Sequence, residues 1–125
     1  MHFTNSLFSI LGQQVSPAGG KFSLRLRADH PIYRGHFPDN PITPGVCSLE
    51  IIREIVAMHF SGVLGPSTEV ESIKFLGFLN PLRTPEVNVE LRISQLEQGI
   101  WRVRGMLGSD QGPAVKMVAR YQGIN

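Results

Sequence analysis

The segment from residue 44 to residue 60 constrains the fold of this chain most strongly. Apolar residues lie on more than one face of the helix that it would form, and four charged or titratable residues interrupt them: Glu50, Arg53, Glu54 and His59. Thr43 suits the N-cap position and Pro44 the first helical position, so we predict a helix from about Pro44 to Phe60. A helix that is apolar on nearly every side is predicted to be buried.

Most of the remaining chain alternates between apolar and polar residues, which is typical of half-buried strands. A weak strand (residues 3–15) and a clear one (22–28) precede the helix, and about four strands follow it. The clearest of those lie at residues 69–78, 87–93, 101–105 and 115–121. Turns are predicted at Gly19-Gly20, Gln98-Gly99 and residues 110–113. An antiparallel sheet with one helix packed against it, an α+β fold, is the simplest arrangement, and residues 1–125 fit a single domain.

Composition excludes several classes of function. The net charge is +2 and the pI is about 9.0, but no cluster of Lys and Arg appears in the sequence, so we predict no nucleic-acid partner, although an acidic partner would suit the charge. The single cysteine, Cys47, cannot form an intrachain disulfide and is predicted to be a core residue. We identify no signal peptide and no apolar run long enough to span a bilayer, so a cytoplasmic location is expected. The histidines lack zinc-ligand spacing, and no metal or cofactor is predicted.

The stretch RGHFPDNPITPGVCSLEII (residues 34–52) holds the candidate chemistry. His36 lies in a proline-rich loop and Glu50 about two turns into the helix, fourteen positions later. A histidine that titrates near neutrality and a carboxylate in an apolar setting are a plausible acid/base pair. Gly45 lies in the first helical turn, where a free backbone N–H could polarise a substrate carbonyl. Taken singly, each residue also has a structural interpretation: a loop histidine, a paired or solvated glutamate, and a glycine that allows tight packing.

The same stretch resembles a known family signature. The run Pro-Ile-Tyr-Arg-Gly-His-Phe-Pro at residues 31–38, continuing through Pro44-Gly45-Val46 to Glu50, is similar to that of the β-hydroxyacyl-(acyl carrier protein) dehydratases, the FabZ/FabA-like enzymes. Their signature reads roughly P-F-F-x-G-H-F-P-G-x-P-V-M-P-G-V, with an acidic residue fourteen positions after the histidine. A second segment, from Ile73 to Leu82, resembles the strand after the family's helix.

The resemblance implies a hot-dog fold, in which a curved antiparallel sheet wraps around the central helix. It also implies a homodimer, or a trimer of dimers, with His36 of one chain facing Glu50 of the other. The enzyme would be a hydro-lyase that converts a 3-hydroxyacyl thioester, on acyl carrier protein or coenzyme A, to the trans-2-enoyl thioester in fatty-acid or polyene synthesis. His36 would remove the α proton, Glu50 would help the hydroxyl leave, and Gly45 would polarise the carbonyl. The substrate tunnel would be lined by Tyr33, Phe37, Pro44 and Val46.

Three positions depart from the family pattern. Asp39 replaces a glycine, Thr43 a methionine, and Glu54 a glutamine. From the sequence, Arg53 and Glu54 are expected to form a solvated or interface pair. Two alternatives therefore stay open: another thioester enzyme on the same fold, namely a thioesterase or an enoyl hydratase, and a non-catalytic acyl-binding subunit that partners an active relative.

Overall fold

A computed structural model describes residues 2–34 and 40–124 of the chain. Across these residues one sheet of six strands packs against one long helix, with two strands before the helix and four after it, as predicted. The elements are β1 (Phe8–Ser16), β2 (Gly19–Leu26), α1 (Gly45–Phe60), β3 (Leu64–Phe75), β4 (Glu86–Glu97), β5 (Ile100–Ser109) and β6 (Gly112–Gly123). A single 3₁₀ turn, Pro31–Tyr33, lies between β2 and α1.

The sheet is antiparallel throughout, in the order β1-β2-β4-β5-β6-β3. Alternate residues of β2, β4, β5 and β6 face α1 and are buried, as the alternating pattern predicts. The helix packs on β5 at Gly105, where an added Cβ would come within 2.8 Å of Ile52 Cγ2. Glycine at this position therefore lets the helix pack directly on the sheet, which fixes where the helix lies.

The helix begins one residue later than predicted, and its cap differs. The helix starts at Gly45, Pro44 occupies the N-cap position, and no side chain caps the helix. The prediction that Thr43 is the N-cap is wrong, because its hydroxyl is buried and hydrogen-bonds instead with the Tyr33 hydroxyl at 2.8 Å. The Pro44 carbonyl accepts from Cys47 and Ser48 N–H, which closes the first turn.

Two predictions about strands and turns need correction. Gly19 and Gly20 begin β2 and do not form the turn, which falls at residues 17–18. Gly19 has a φ of +148°, and a side chain there would collide with the Leu91 carbonyl of β4. Glycine at this position therefore allows β2 and β4 to pair closely. The strand β3 runs from Leu64 to Phe75, earlier than the predicted 69–78, because the Gly65-Pro66 pair is accommodated by bulges in its pairing with β6. The predicted turns around Gly99 and Gly112 are confirmed.

The prediction that the helix is buried on nearly every side is wrong for the single chain. Val46, Arg53 and Ala57 form an exposed stripe along α1, and Val46 is 66% exposed. The physical reason is that one sheet covers one side of the helix. Beside this stripe lies β3, an edge strand whose residues are almost all exposed.

Among the described residues, no helix combines the length and the apolar character needed to cross a bilayer.

Candidate active site

Glu50 lies where the exposed stripe of α1 meets the sheet. Its side chain is 18% exposed and borders a groove of about 540 Å³ between α1 and strands β3 and β6. The Arg53 guanidinium, one helical turn further on, lies 3.5 Å from its carboxylate. The carboxylate is therefore within reach of a molecule bound in the groove and has one cationic neighbour.

One buried polar residue of this groove was missed by the sequence analysis. Tyr121 of β6 is buried and lines the groove together with Glu50 and Arg53. Burial raises the pKa of the Tyr121 hydroxyl; the Arg53 charge opposes this shift and the Glu50 charge adds to it. The alternating pattern of β6 placed Tyr121 on the inner face, but which helix residues it would meet depends on how the helix crosses the sheet.

The predicted pairing of Arg53 with Glu54 is wrong. Arg53 pairs with Glu50, whereas Glu54 is buried and accepts hydrogen bonds from the N-terminal segment. Both oxygens of Glu54 accept from the Phe3 N–H at 2.8 Å, and Oε1 also accepts from the Thr4 N–H at 3.0 Å and the Thr4 hydroxyl at 2.9 Å. Glu54 therefore attaches the start of the chain to the middle of the helix.

His36 and Phe37 lie outside the described residues, and the described segments that end at Arg34 and begin at Asn40 are held together by hydrogen bonds. The Tyr33–Thr43 hydrogen bond joins the two flanks, and the Thr43 N–H donates to the Leu79 carbonyl at 2.8 Å. Burial raises the pKa of the Tyr33 hydroxyl. Tyr33 is thus a buried structural link between the chain before His36 and the start of the helix.

An apolar pocket of about 400 Å³ lies at the N-terminal end of α1. Pro44, Gly45 and Val46 line one side of it, and Phe75 and Phe78 line the other. Tyr33 is not among the lining residues, although its partner Thr43 is. Two of the residues expected along a substrate tunnel, Pro44 and Val46, therefore border the same cavity.

Gly45 combines a free backbone donor with close packing. Within the part of the chain that the structure describes, neither the Gly45 N–H nor the Val46 N–H donates a hydrogen bond. Unpaired N–H groups at a helix start carry a partial positive charge and suit a carbonyl oxygen or an anion. At the same time an added Cβ at Gly45 would come within 2.6 Å of the Phe75 ring, so packing also requires glycine here.

Cys47 is buried, as predicted. Burial raises the pKa of its thiol, and the nearby Glu50 charge raises it further, so the thiol stays protonated near neutral pH. Among the described residues, no group of three or more His, Cys, Asp and Glu side chains is arranged to hold a metal ion.

Solved structures with this fold define the class of protein. The chain superposes on the dehydratase heterocomplex ApeI:P from Xenorhabdus doucetiae with a TM-score of 0.63 at 20% identity, over 91% of this chain and 96% of that one. It superposes on a hypothetical thioesterase from Streptococcus pneumoniae with a TM-score of 0.71 at 8% identity, over 94% of this chain and 86% of that one. At such identities the likeness shows the fold alone, and the predicted α+β hot-dog fold is confirmed.

Sequence comparison identifies the family. The family model for the ApeI-like dehydratases matches residues 13–109, so the chain belongs to that family. A 3-hydroxyacyl-[acyl-carrier-protein] dehydratase FabZ of Thermoanaerobacter sp. is 29% identical over 85 residues, which cover 63% of this chain and 58% of that enzyme. The FabZ of Alkaliphilus metalliredigens is 28% identical over 107 residues, covering 78% of this chain and 71% of that enzyme. The chain thus spans under two thirds of the length of the Thermoanaerobacter relative. The resemblance noted in the sequence is confirmed.

Proposed function

We propose that the protein dehydrates a 3-hydroxyacyl thioester, carried on acyl carrier protein, to the trans-2-enoyl thioester. The observation that carries the proposal is the position of Glu50: a carboxylate in a groove beside an exposed edge strand, on a chain that the dehydratase family model matches. The FabZ relatives act on 3-hydroxyacyl groups attached to acyl carrier protein, as their names state. The same substrate class is assigned to this chain, with coenzyme A as the alternative carrier.

In the proposed mechanism His36 removes a proton from the carbon next to the thioester carbonyl. The electron pair of that C–H bond becomes the new C=C bond, and the C–O bond to the β-hydroxyl breaks. Glu50, acting through a water molecule, helps supply the proton with which the hydroxyl leaves as water. Negative charge that develops on the carbonyl oxygen is stabilised by the Gly45 N–H at the start of α1.

The proposed site is completed by a second copy of the chain. The groove beside Glu50 is open along β3, and the exposed stripe of α1 is uncovered in the single chain. Edge-to-edge pairing of two β3 strands would cover both and bring His36 of one protomer to Glu50 of its partner. We propose a homodimer, with a trimer of dimers as a larger possible assembly.

A mixing experiment tests the shared site. His36→Ala and Glu50→Gln should each lower turnover by about 100- to 10,000-fold, because neither substituent can move the required proton. A heterodimer of the two variants has one site with both defects and one intact site. Subunit exchange should therefore restore up to about half of the wild-type turnover per dimer. Glu69→Gln, which removes another carboxylate that lines the groove, is the matched control and should stay active.

The products separate the candidate reactions. Mass spectrometry of the 3-hydroxyacyl carrier should show loss of water with the thioester intact. Release of free acid would instead identify a thioesterase. Heterodimers that stay inactive would rule out a site shared by His36 and Glu50.

Two substitutions at Gly45 separate its donor from its packing. Gly45→Ala keeps the N–H but adds a Cβ against the Phe75 ring, whereas Gly45→Pro adds a similar Cβ and removes the N–H. Pro44 already has a ψ of 142°, which suits a residue that precedes proline. We expect Gly45→Pro to be about 100- to 1,000-fold slower than Gly45→Ala. Equal rates in two folded variants would exclude the carbonyl-polarising role.

A second candidate function is a non-catalytic subunit of a mixed dimer. It is favoured by one observation, that the similar ApeI:P structure is a heterocomplex. In that case the purified chain alone would lack dehydratase activity, and activity would appear on addition of a related subunit. Turnover measured with the purified wild-type chain alone decides between a catalytic homodimer and a non-catalytic subunit.

A further inference from the structure

The outer face of the sheet, which points away from α1, gathers basic side chains from four strands. Six of the basic residues on this face are here called the basic face: Lys74, Arg92, Arg102, Arg104, Lys116 and Arg120. They are scattered over 47 positions of the sequence, which is why no cluster is visible there. The strand register brings them together.

The register also pairs like charges directly across strands. Arg92 of β4 is opposite Arg104 of β5, and Lys74 of β3 is opposite Lys116 of β6. Arg102 of β5 is opposite Arg120 of β6. Like charges on directly opposite residues destabilise a sheet, because the Cβ atoms of such residues are only about 5 Å apart. Three such pairs on one face therefore call for an explanation other than stability.

One of the three pairs is bridged by a carboxylate of the chain. Glu71 accepts hydrogen bonds from Arg102 at 3.0 and 3.2 Å and from Arg120 at 3.3 Å. For the other two pairs, no carboxylate of the described residues lies within salt-bridge distance. These four cations, Lys74, Arg92, Arg104 and Lys116, are all exposed and are free to meet an external anion.

The arrangement favours an acidic protein surface over a nucleic acid. Two carboxylates, Glu71 and Glu90, lie among the basic residues, and a continuous phosphate backbone would be repelled by them. The outward positions between the cations are filled by Ser72, Met106 and Val118, which offer no aromatic ring for a base to stack on. Separate carboxylates on a folded partner can pair with separate cations.

The basic face also reaches the candidate site. Lys74 immediately precedes Phe75, whose ring lies against Gly45 at the N-terminal end of α1. A partner bound near Lys74 and Lys116 would thus lie on the opposite face of the sheet from the apolar pocket that Gly45, Phe75 and Phe78 line.

We propose that the basic face docks an acidic protein that carries the acyl thioester. Lys74, Arg92, Arg104 and Lys116 make the contacts, and the pantetheine arm then passes the C-terminal end of β3, at Phe75 and Phe78, into the pocket. The carrier role rests on the proposed function, whereas the docking of an acidic protein rests on the charge arrangement alone.

Binding and turnover test the two parts separately. The binding probe is a fluorescently labelled acyl carrier protein of acidic net charge, titrated at several salt concentrations. The double variants Arg92→Glu/Arg104→Glu and Lys74→Glu/Lys116→Glu should each raise the dissociation constant about tenfold or more, and wild-type binding should weaken steeply with salt. Arg25→Glu/Arg27→Glu makes the same change in net charge at the exposed end of β2 and should leave binding within about twofold of wild type.

Turnover adds a readout that a general folding defect would not reproduce. With the carrier-bound substrate, the two double variants should show a raised KM at similar kcat. With the same acyl group on free pantetheine they should match wild type. Light scattering checks that each variant keeps its oligomeric state. If the Arg92→Glu/Arg104→Glu variant fails to fold, Arg92→Gln/Arg104→Gln replaces it in the same measurements.

Three results would overturn the proposal. One is unchanged carrier binding in the double variants, and a second is equal weakening in the Arg25/Arg27 control. The third is tighter binding of duplex DNA or RNA than of the acidic carrier, with competition between them. If carrier binding follows the charges but no enoyl product forms in any variant, the docking surface stands and the proposed dehydratase function fails.

Discussion

At the scale of single residues, Glu54 shows how a charged helix position can serve the fold. Its carboxylate lies 51 positions from Phe3 in sequence, yet it accepts the Phe3 and Thr4 backbone N–H groups. Those N–H groups belong to a tight turn in which the Phe3 carbonyl accepts from three following residues. The buried carboxylate is stable there because donors, rather than a second charge, satisfy its oxygens.

We predict that Glu54→Ala lowers the free energy of unfolding by about 1–3 kcal/mol, because the Phe3 N–H stays buried without an acceptor. Urea denaturation measures the change. Glu97→Ala removes an exposed carboxylate at the end of β4 and is the control, expected to fall within about 0.5 kcal/mol of wild type. If both variants unfold at the wild-type midpoint, the Glu54 contacts contribute nothing to stability.

Glu71 predicts a dependence of stability on pH. Hydrogen bonds from Arg102, and then from Arg120, hold the pKa of the Glu71 carboxyl below its ordinary value of 4.5. A depressed folded-state pKa means that the ion pair stabilises the protein above pH 4.5 and that this contribution disappears as the pH falls through the folded-state pKa. We expect Glu71→Gln to lower the Tm at pH 7 and to approach wild type as the pH is lowered below 4.5. A difference in Tm that stays constant across this range would contradict the prediction.

At the scale of elements, the position of α1 is set by its contact with β5. Gly105 lies opposite Leu91 of β4 and Met117 of β6, and Ile52 of the helix fills the space above it. Helix and sheet could not approach as closely with a side chain at this position. The same packing places the Glu50 turn of the helix above the groove beside β3 and β6.

We predict that Gly105→Ala destabilises the protein by about 1–3 kcal/mol, because the new methyl group overlaps Ile52 Cγ2. Adding Ile52→Leu, which removes the branch at Cβ, should recover part of the loss. Gly12→Ala, where an added Cβ meets nothing within 4 Å, is the matched control and should be neutral. Thermal unfolding of wild type, Gly105→Ala, Ile52→Leu, the double variant and Gly12→Ala measures the effect. Additive effects of the two substitutions in the double variant would show that positions 105 and 52 do not contact.

At the scale of the whole molecule, β1 and β3 form the two edges of the sheet, and they are unequal. Large exposed apolar residues concentrate on β3 and the segment after it: Val70, Ile73, Phe75, Leu76 and Phe78. An unpaired apolar edge is a site for strand addition by another chain. This edge borders the Glu50 groove, so the proposed interface and the proposed site coincide.

We predict that Ile73→Lys dissociates the proposed dimer and abolishes turnover, because a charge is placed within the apolar edge on which the shared site depends. Light scattering and product analysis measure the two losses. Leu11→Lys makes the same change at an exposed position of the opposite edge strand β1 and should remain dimeric and active. A stable, active Ile73→Lys monomer would show that neither the interface nor the site lies at β3.

The sequence by itself determined the kind and order of the elements. Helical and alternating apolar patterns record which side of each segment is buried, and proline and glycine mark where segments end, so two strands, a helix and four strands were predictable. The family was also predictable, since the spacing of His36, Gly45 and Glu50 lies within one short stretch.

Tertiary structure decided which distant residues meet. The pairing of Glu54 with Phe3, the contact of Tyr121 with the Glu50 groove and the collection of six cations on one face all join positions far apart in the chain. None of them leaves a local pattern, because a polar side chain satisfied by a distant partner looks in sequence like one satisfied by water. Strand register and the crossing of the helix over Gly105 fix these neighbours, and both depend on packing across the whole sheet.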